Sequence, residues 1–189
     1  NNRVTVVRDA RSANKDDNTF KTVTTYDARG NVESITPPAP LGATSNTYTT
    51  SGIAAVGSAG TMPIGLQRTT TSALGGVTTY SYNAKGDLTR VSDPAGKITD
   101  ITYDELGREL TRTDTGTGIP AGTVFTKTWD KLSRISTDTE PSVTNVVTSA
   151  TRQLRVTTTY DPNGNVSQRS TGPVTPVAAD PARVETFTY

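Results

Sequence analysis

A short motif recurs along this chain and restricts the folds open to it. Each copy has an aromatic residue, then Asp or Asn, then two free positions, then Gly. In a hairpin turn of type I followed by a left-handed residue, the Asp or Asn side chain accepts the backbone N–H two residues later. Gly adopts the positive φ of the left-handed position without a steric cost. The motif therefore predicts a series of tight β-hairpins.

Four copies follow the motif closely. They are Tyr26-Asp27 with Gly30, Tyr82-Asn83 with Gly86, Tyr103-Asp104 with Gly107, and Tyr160-Asp161 with Gly164. A less regular copy has Trp129 and Asp130 but Ser133 in place of Gly. We expect this replacement to cost on the order of 1 kcal/mol of backbone strain. A fainter, degenerate copy begins at Tyr48, with Gly52 four residues on, and Tyr189 stands where a further copy would begin.

The spacing of the copies predicts how the hairpins connect. The shortest unit runs from Tyr82 to the residue before Tyr103 and contains a second turn of the same chemistry, Asp93-Pro94-Ala95-Gly96. Strand, turn, strand and turn then alternate, which favours an antiparallel meander. In longer units the extra residues fall after the second strand, in the segments 113–123, 138–152 and 172–183. We therefore expect one uniform edge of short turns and one edge that carries all the variable loops.

Composition narrows the class of protein further. Hydrophobic residues are 32% of the chain, whereas roughly 45–50%, glycine included, is usual in globular domains. The abundant threonine is β-branched and favours strands, so we expect a thin sheet with both faces exposed to solvent. The chain has no Cys and no His, which excludes Ser-His-Asp and Cys-His nucleophiles, zinc sites of the usual ligands and disulfides. The net charge of +1 gives no basic surface that would favour nucleic-acid binding. No apolar stretch is long enough to enter a membrane.

The motif resembles the YD repeat of the RHS (rearrangement hot spot) family, which includes bacterial RHS proteins, the Tc toxin B and C components and the animal teneurins. The resemblance extends from about Phe20 to Tyr189. It implies an all-β fold, an antiparallel hairpin meander that forms part of a curved or spiral β-shell and is incomplete by itself. Glu109, where the repeat usually has an apolar residue, Trp129 and Ser133 depart from the pattern, and we expect irregular hairpins in the middle of the chain.

The domain organisation follows from the same resemblance. We expect residues 1–189 to be a single YD-repeat array segment of a much larger chain, since the sequence stops one residue before the next expected Asp and a run of hairpins leaves unpaired sheet edges. The first residue is Asn1, not Met, which agrees with that expectation.

The candidate site residues have a structural and a chemical interpretation. The aromatic residues could stack against a ligand, but packing contacts between successive hairpins are the favoured interpretation. The turn aspartates could be catalytic carboxylates or calcium ligands, but their position already explains them as turn acceptors. Asp16-Asp17-Asn18 resembles the start of a calcium loop, yet lacks its downstream Gly and Glu. We therefore predict no catalytic, cofactor or metal site, and assign structural turn roles to Tyr26, Asp27, Gly30, Tyr82, Asn83, Gly86, Asp93, Pro94, Gly96, Tyr103, Asp104, Gly107, Trp129, Asp130, Tyr160, Asp161 and Gly164.

An enzymatic role has one possible basis in the family. The resemblance implies that bacterial shells release their cargo at an aspartyl site associated with Asp-Pro-x-Gly-Leu motifs. Here Asp93-Pro94-Ala95-Gly96 is followed by Lys97 instead of Leu. Turn chemistry accounts for this segment, so we predict that the chain is not an enzyme.

Two functions remain for comparison. The resemblance implies a wall segment of a shell that encapsulates the C-terminal toxic part of a bacterial polymorphic or Tc-type toxin. The alternative is a cell-surface adhesion or carbohydrate-binding module that uses the variable loops. The expected partners are the remainder of the same polypeptide and its enclosed cargo, with a surface glycan or receptor in the alternative. Either function implies a bacterial protein that is secreted or displayed on the cell surface, and the absence of Cys favours the bacterial branch over an animal ectodomain.

Overall fold

The computed structural model describes residues 3–175 and 181–189. Within these residues all regular secondary structure is β-strand, joined by turns and loops. The chain divides into two compact units, Asn1–Gly96 and Lys97–Tyr189. The all-β antiparallel hairpin fold predicted from the sequence is confirmed.

The first unit is an antiparallel sheet in which each strand pairs with the next along the chain. Its strands are β1 (Val6–Arg8), β2 (Lys21–Tyr26), β3 (Val32–Thr36), β4 (Thr44–Tyr48), β5 (Gln67–Thr71), β6 (Val77–Tyr82) and β7 (Leu88–Ser92).

The second unit has the same plan, with one inserted hairpin. Its strands are β8 (Ile98–Tyr103), β9 (Glu109–Thr115), β10 (Thr123–Trp129), β11 (Ile135–Thr139), β12 (Val143–Thr144), β13 (Thr151–Arg152), β14 (Leu154–Tyr160), β15 (Val166–Pro173) and β16 (Arg183–Thr186). β11 pairs with β14, so the two-stranded β12–β13 sheet lies outside the main sheet.

A β-bulge precedes the aromatic residue of every repeat. The pairing register shifts at Thr25/Tyr26, Thr47/Tyr48, Ser81/Tyr82, Thr102/Tyr103, Thr128/Trp129 and Thr159/Tyr160. The extra residue lies on the partner strand, as Glu33 does between the pairing residues Val32 and Ser34, and such a bulge increases the local twist of the two strands. The ladder is therefore interrupted at the same place in each hairpin, including the one at Tyr48 that lacks the tight turn.

The short turns that follow the aromatic residues lie together at one edge of each sheet, which we call the turn edge. It comprises residues 27–31, 83–87, 104–108, 130–134 and 161–165, and also the long segment 49–66 between β4 and β5. The expectation of a uniform turn edge is therefore wrong at Tyr48, where the motif lacks Asp and the tight turn is replaced by a loop.

Segment 49–66 packs on the neighbouring turn of the first unit. The Thr49 hydroxyl donates to the carbonyl of Pro63 (2.6 Å) and accepts from the backbone N–H of Leu66 (2.9 Å). Val56 N–H donates to the carbonyl of Tyr82 (2.9 Å). Met62, which this segment contributes, is the one buried apolar residue among those that the structure describes, at 3% exposure. A satellite core thus forms where the repeat is least regular.

The opposite edge, which we call the loop edge, carries connections of varied length, as predicted. They include residues 9–20, 37–43, 72–76, 116–122 and 140–153. The last of these contains the β12–β13 hairpin, which composition gave no reason to expect. Part of the predicted loop 172–183, residues 176–180, lies outside the described residues.

The two faces of each sheet differ in chemistry. One, the aromatic face, carries the repeat aromatics together with residues such as Ile35, Val91 and Phe125 at positions paired across the sheet. The other, the hydroxyl face, carries mainly Thr and Ser, because strand residues alternate between faces. Most strand residues are half-buried or exposed, so the sheet is a single layer without a conventional core.

Candidate functional site

The turn that follows Tyr26 shows how the motif folds. Gly30 has φ +95° and donates its N–H to the carbonyl of Asp27 (3.0 Å), while Asp27 N–H donates to the carbonyl of Asn31 (2.9 Å). One carboxylate oxygen of Asp27 accepts the backbone N–H groups of Arg29 (2.9 Å) and Asn31 (2.8 Å). The bond from Arg29 is the one that turn chemistry predicts.

The same turn recurs with nearly constant dimensions. The residue at the Gly position donates its N–H to the carbonyl of the motif Asp or Asn, at 3.1 Å for Gly86, 3.0 Å for Gly107, 3.1 Å for Ser133 and 3.0 Å for Gly164. The side-chain oxygen accepts the N–H two residues later at 2.9 Å for Lys85, Leu106 and Leu132. The structure thus places these motif residues in one repeated geometry at the turn edge.

A second acceptor role of the motif carboxylates was missed by the sequence reasoning. The residue four positions after each motif Asp donates a side-chain N–H to the second carboxylate oxygen. The donors are Asn31 (2.9 Å), Arg108 (2.6 Å), Arg134 (2.7 Å) and Asn165 (3.1 Å). The signal was present in the sequence, since Asn or Arg follows the Gly position in each of these copies.

In the Asn83 turn the donor and the acceptor of this side-chain hydrogen bond are exchanged. Here the motif residue is the amide and the residue four positions on is the acid, and the Asn83 side chain donates to the Asp87 carboxylate (2.8 Å). The Asn83 side-chain oxygen still accepts the backbone N–H groups of Lys85 and Asp87 (both 2.9 Å). The two positions therefore act as a pair, and the pair requires one donor and one acceptor.

These hydrogen bonds keep the turn carboxylates ionised. The side chain of Asn31 lowers the pKa of Asp27 below its usual value, and backbone N–H donors, from Arg108 and Arg134 respectively, do the same for Asp104 and Asp130. For Asp161 burial raises the pKa, but the N–H donors around the carboxylate outweigh it and the net pKa is lowered. A general acid needs the opposite shift, and these carboxylates accept hydrogen bonds from their own turns.

Five of the repeat aromatics reach the backbone of the preceding repeat. The Tyr26 hydroxyl donates to the carbonyl of Val4 (2.9 Å), and every later example donates to the residue that opens the strand after the previous turn. The later pairs are Tyr48 to Val32 (2.8 Å), Tyr82 to Gln67 (2.7 Å), Trp129 Nε1 to Glu109 (2.8 Å) and Tyr160 to Ile135 (3.0 Å). Burial raises the pKa of Tyr48 and Tyr82, so these hydroxyls stay protonated as donors.

Arginines of the turn edge also join one repeat to the next. Arg108, held by Asp104 in an ion pair of 2.6 Å, reaches the carbonyl of Asp130 (3.3 Å) and the hydroxyl of Ser133 (3.1 Å) in the following turn. The guanidinium of Arg134 lies 4.0 Å from the ring centroid of Tyr160. Such cation–π contacts contribute about 0.5–1 kcal/mol at exposed sites, so the Arg134 turn is tied to the next aromatic as well as to its own Asp.

The expectation of irregular hairpins in the middle of the chain is wrong. Ser133 adopts φ +60°, the left-handed conformation that Gly takes in the other copies, and the indole N–H of Trp129 replaces a tyrosine hydroxyl as donor. Glu109 is compensated by Lys127 on the adjacent strand, at 3.1 Å, with both side chains about a quarter exposed. Each departure from the motif therefore keeps the interaction that the geometry requires.

The Asp93-Pro94-Ala95-Gly96 segment forms a turn of the same chemistry at the loop edge of the first unit. Gly96 has φ +87° and donates its N–H to the carbonyl of Asp93 (3.2 Å), while the Asp93 carboxylate accepts the N–H of Ala95 (2.9 Å). The carboxylate is directed at its own backbone and serves the turn.

The other sequence candidates, Asp16 and Asp17, contact groups within their own loop. Asp17 accepts the backbone N–H groups of Ala13 and Thr19 (both 2.9 Å), and Asp16 pairs with Lys15 (2.9 Å). Within residues 3–175 and 181–189, no cluster of acidic side chains is suited to hold a metal ion. The same residues include no helix with the length and apolarity needed to cross a bilayer.

These features define a class: a repeat protein whose hairpins are joined side by side through backbone acceptors. Comparison with known proteins agrees. The RHS repeat model matches residues 63–98 and 82–119. No curated protein sequence matches the chain.

Solved structures of similar fold come from Tc toxins. One is a TcdB2–TccC3 complex, with TM-score 0.53 and 16% identity over 89% of this chain in the form described with Cdc42. Another is a Photorhabdus luminescens Tc holotoxin pore, with TM-score 0.53 and 16% identity over 88% of this chain. TcdB2–TccC3 without its hypervariable C-terminal region has TM-score 0.52 and 15% identity over 89% of this chain. The chain spans only 9–10% of the length of these proteins.

The RHS repeat model and the turn geometry agree on repeats of the RHS/YD type within residues 63–119, and the chain shares its fold with the Tc toxin structures.

Proposed function

We propose that residues 1–189 are one array segment in the wall of a β-shell that encapsulates the C-terminal toxic part of a bacterial polymorphic or Tc-type toxin. The observation that carries this proposal is the bond from five repeat aromatics to a backbone carbonyl of the preceding repeat, as from Tyr160 to Ile135. Such bonds extend a sheet sideways without a second layer. A sheet that grows in this way is suited to enclose a volume, because its strength lies within the layer.

The burial of side chains supports a wall over a self-contained binding domain. A domain of this size usually buries a contiguous apolar core, whereas here the described residues include one buried apolar side chain, Met62. Thr49, Ser81 and Thr89 are the buried polar residues among them. The free energy that holds the fold therefore comes largely from the ladder, the turns and the contacts between repeats.

The turn residues have structural roles in this proposal. The carboxylate oxygens of Asp27, Asp104, Asp130 and Asp161 accept N–H donors from their own turns, and hydrogen-bonded carboxylates with a lowered pKa are poor acids and weak bases. The chain then contributes no catalysis.

The partners and location follow from the same proposal. The segment contacts the rest of its own polypeptide and the enclosed cargo, and the polypeptide is exported from a bacterium, to be secreted or displayed at the cell surface. Glycan binding by the loop edge is less well supported, since Phe20, which is covered by Arg11, is the one aromatic residue in segments 9–20, 37–43, 72–76, 116–122 and 140–153, and aromatic anchors dominate most recognition surfaces.

The proposal is tested by removing one complete repeat from the full-length polypeptide. Deletion of residues 104–129 joins Tyr103 directly to Asp130 and so preserves the motif while shortening the wall by one turn, β9 and β10. We expect the C-terminal part of the polypeptide to become sensitive to added protease. As a matched control, deletion of residues 143–152 removes only the inserted β12–β13 hairpin and should leave that part protected.

The result that would overturn the proposal is equal protease sensitivity of the C-terminal part in the unaltered protein and in both deletions. Retained protection after the loss of residues 104–129 would also contradict it, since a closed wall cannot lose two strands without a gap.

A further inference from the structure

The hydroxyl face contains rows of Thr and Ser that cross several strands in register. In each row, every residue is the direct cross-strand partner of the next. The rows of the first unit are Thr25–Ser34–Ser45–Thr71 and Thr47–Thr69–Thr79–Ser92. Those of the second unit are Thr102–Thr111–Thr126–Thr139 and Thr128–Thr137–Thr157–Ser170.

The hydroxyl groups of these rows are accessible and partly paired with one another. Hydroxyl–hydroxyl hydrogen bonds join Thr25 to Ser34 (2.8 Å) and Thr47 to Thr69 (2.7 Å) in the first unit. Row residues are exposed or half-buried throughout. Charged side chains on this face, such as Asp100 opposite Thr113 and Arg155 opposite Thr139, lie at the margins of the rows.

The aromatic face has much larger side chains at the corresponding positions. In the second unit it carries Phe125, Trp129 and Tyr160, with the guanidinium of Arg112 only 4.1 Å from the Phe125 ring centroid. The two faces of one layer thus differ in the volume of their side chains.

This difference in volume indicates the direction of curvature. Hydrogen bonding fixes the distance between neighbouring strands at about 4.8 Å, so when a sheet curves, side chains converge on its concave face and spread on its convex face. Thr and Ser suit the crowded concave face, whereas Phe, Trp, Tyr and Arg need the room of the convex face.

The chemistry of the hydroxyl face is suited to contact with an unfolded polypeptide. Burial of apolar surface contributes about 25 cal/mol per Å², and a face of short hydroxyl side chains offers little such surface. Because the rows carry no charge and already satisfy hydroxyls within themselves, they offer few strong contacts to either charged or apolar segments.

We propose that the hydroxyl face lines the lumen of the shell and meets the enclosed polypeptide as a non-adhesive surface, while the aromatic face points outward. This inference rests on the proposed function. It assigns a face and a partner chemistry, an unfolded polypeptide chain, to a specific set of residues.

The chain has no Cys, which permits a direct test with single cysteines in the full-length polypeptide. Ser45→Cys and Ile35→Cys probe the hydroxyl and aromatic faces of the first unit at two exposed positions on adjacent strands. Gln168→Cys and Arg169→Cys are neighbours in β15, both exposed and on opposite faces. Each variant is treated with a small maleimide and, separately, with a polyethylene-glycol maleimide too large to pass the wall. Both treatments are made on the folded protein and again on the denatured protein.

We expect loss of labelling by the large reagent at S45C and Q168C only, with all four variants labelled by the small reagent and by both reagents after denaturation. Loss at I35C and R169C instead would overturn the assignment of the faces and leave the proposed shell intact. Protection of all four would also overturn the assignment. Labelling of all four by the large reagent would show that no closed lumen forms, and would contradict the proposed function itself.

Discussion

The hydroxyl of Tyr160 donates a hydrogen bond of 3.0 Å to the backbone carbonyl of Ile135, the first residue after the preceding turn. The guanidinium of Arg134, immediately before Ile135, lies 4.0 Å from the centre of the same ring. One aromatic side chain thus meets both the backbone and a side chain of the repeat before it.

Removal of this hydroxyl should weaken the junction between the two repeats. We expect Tyr160→Phe to destabilise β14 and β11 by about 1 kcal/mol, the typical net contribution of a hydrogen bond, as measured by hydrogen exchange of their amides in the full-length protein. Tyr189→Phe is the control, since Tyr189 is 82% exposed. Equal effects of the two substitutions would contradict a specific role for the Tyr160 hydroxyl.

Ser133 occupies a left-handed position that Gly fills in other copies, so Ser133→Gly should stabilise its turn. Relief of the positive φ of +60° contributes about 1 kcal/mol, less the loss of the exposed hydrogen bond from Arg108. Ser133→Ala keeps the strain and loses the same bond, so it should destabilise the turn. If S133G proved as destabilising as S133A by hydrogen exchange of residues 130–135, the hydroxyl contact would outweigh the backbone conformation.

Gly164 tests the same principle in reverse. Gly164→Val should destabilise its hairpin by at least about 1 kcal/mol, because a β-branched residue resists positive φ. A Cβ atom here would meet only the Arg134 guanidinium, at 3.7 Å, so the cost at this atom arises from conformation and not from a clash. Gly164→Asn, which tolerates the left-handed region, should cost less. Unchanged amide protection in G164V would be evidence against the turn assignment.

The paired Asp161 and Asn165 should tolerate exchange but not a single change. Asp161→Asn replaces the ionised acceptor by a neutral amide, which weakens the bond from Asn165, and we expect a loss of about 1 kcal/mol. The double variant D161N/N165D reproduces the Asn83–Asp87 arrangement and should recover most of that loss. A double-mutant cycle on turn protection measures the coupling, and strict additivity of the two changes would contradict it.

The turn carboxylates should make the turn edge sensitive to acid. Their pKa is lowered in the folded state from the usual 3.8, so they stabilise the fold above that pH and lose this contribution as the pH falls through the folded pKa. We expect amide protection at Gly30 and Asn31 to decrease progressively below about pH 4. The Ser72 turn is an internal control, since its hydroxyl accepts the N–H of Gly76 (3.1 Å) and does not titrate. A parallel decrease in both turns would point to global unfolding.

Sequence alone predicted the hairpins because their cause is local. Asp, two free residues and Gly determine the turn, and the strands follow from it. The partner of the Asp27 carboxylate at Asn31 was also local, but a motif read only as far as Gly stops one residue short of it.

The features that could not be predicted depend on contacts distant in sequence. Segment 49–66 folds against the Tyr82 turn through Val56, and no local signal specifies that packing. The compensation of Glu109 by Lys127 required the register of β9 against β10. Likewise Trp129 looked like a defect until its indole was seen to donate to a neighbouring carbonyl.

That acceptor is a peptide oxygen in every example from Val4 to Ile135, and a peptide oxygen is present whatever the side chain. Through this bond, one module therefore makes no demand on the identity of the residue in the module before it. Genes for such arrays can be duplicated, exchanged or recombined between copies without loss of this bond at the joints.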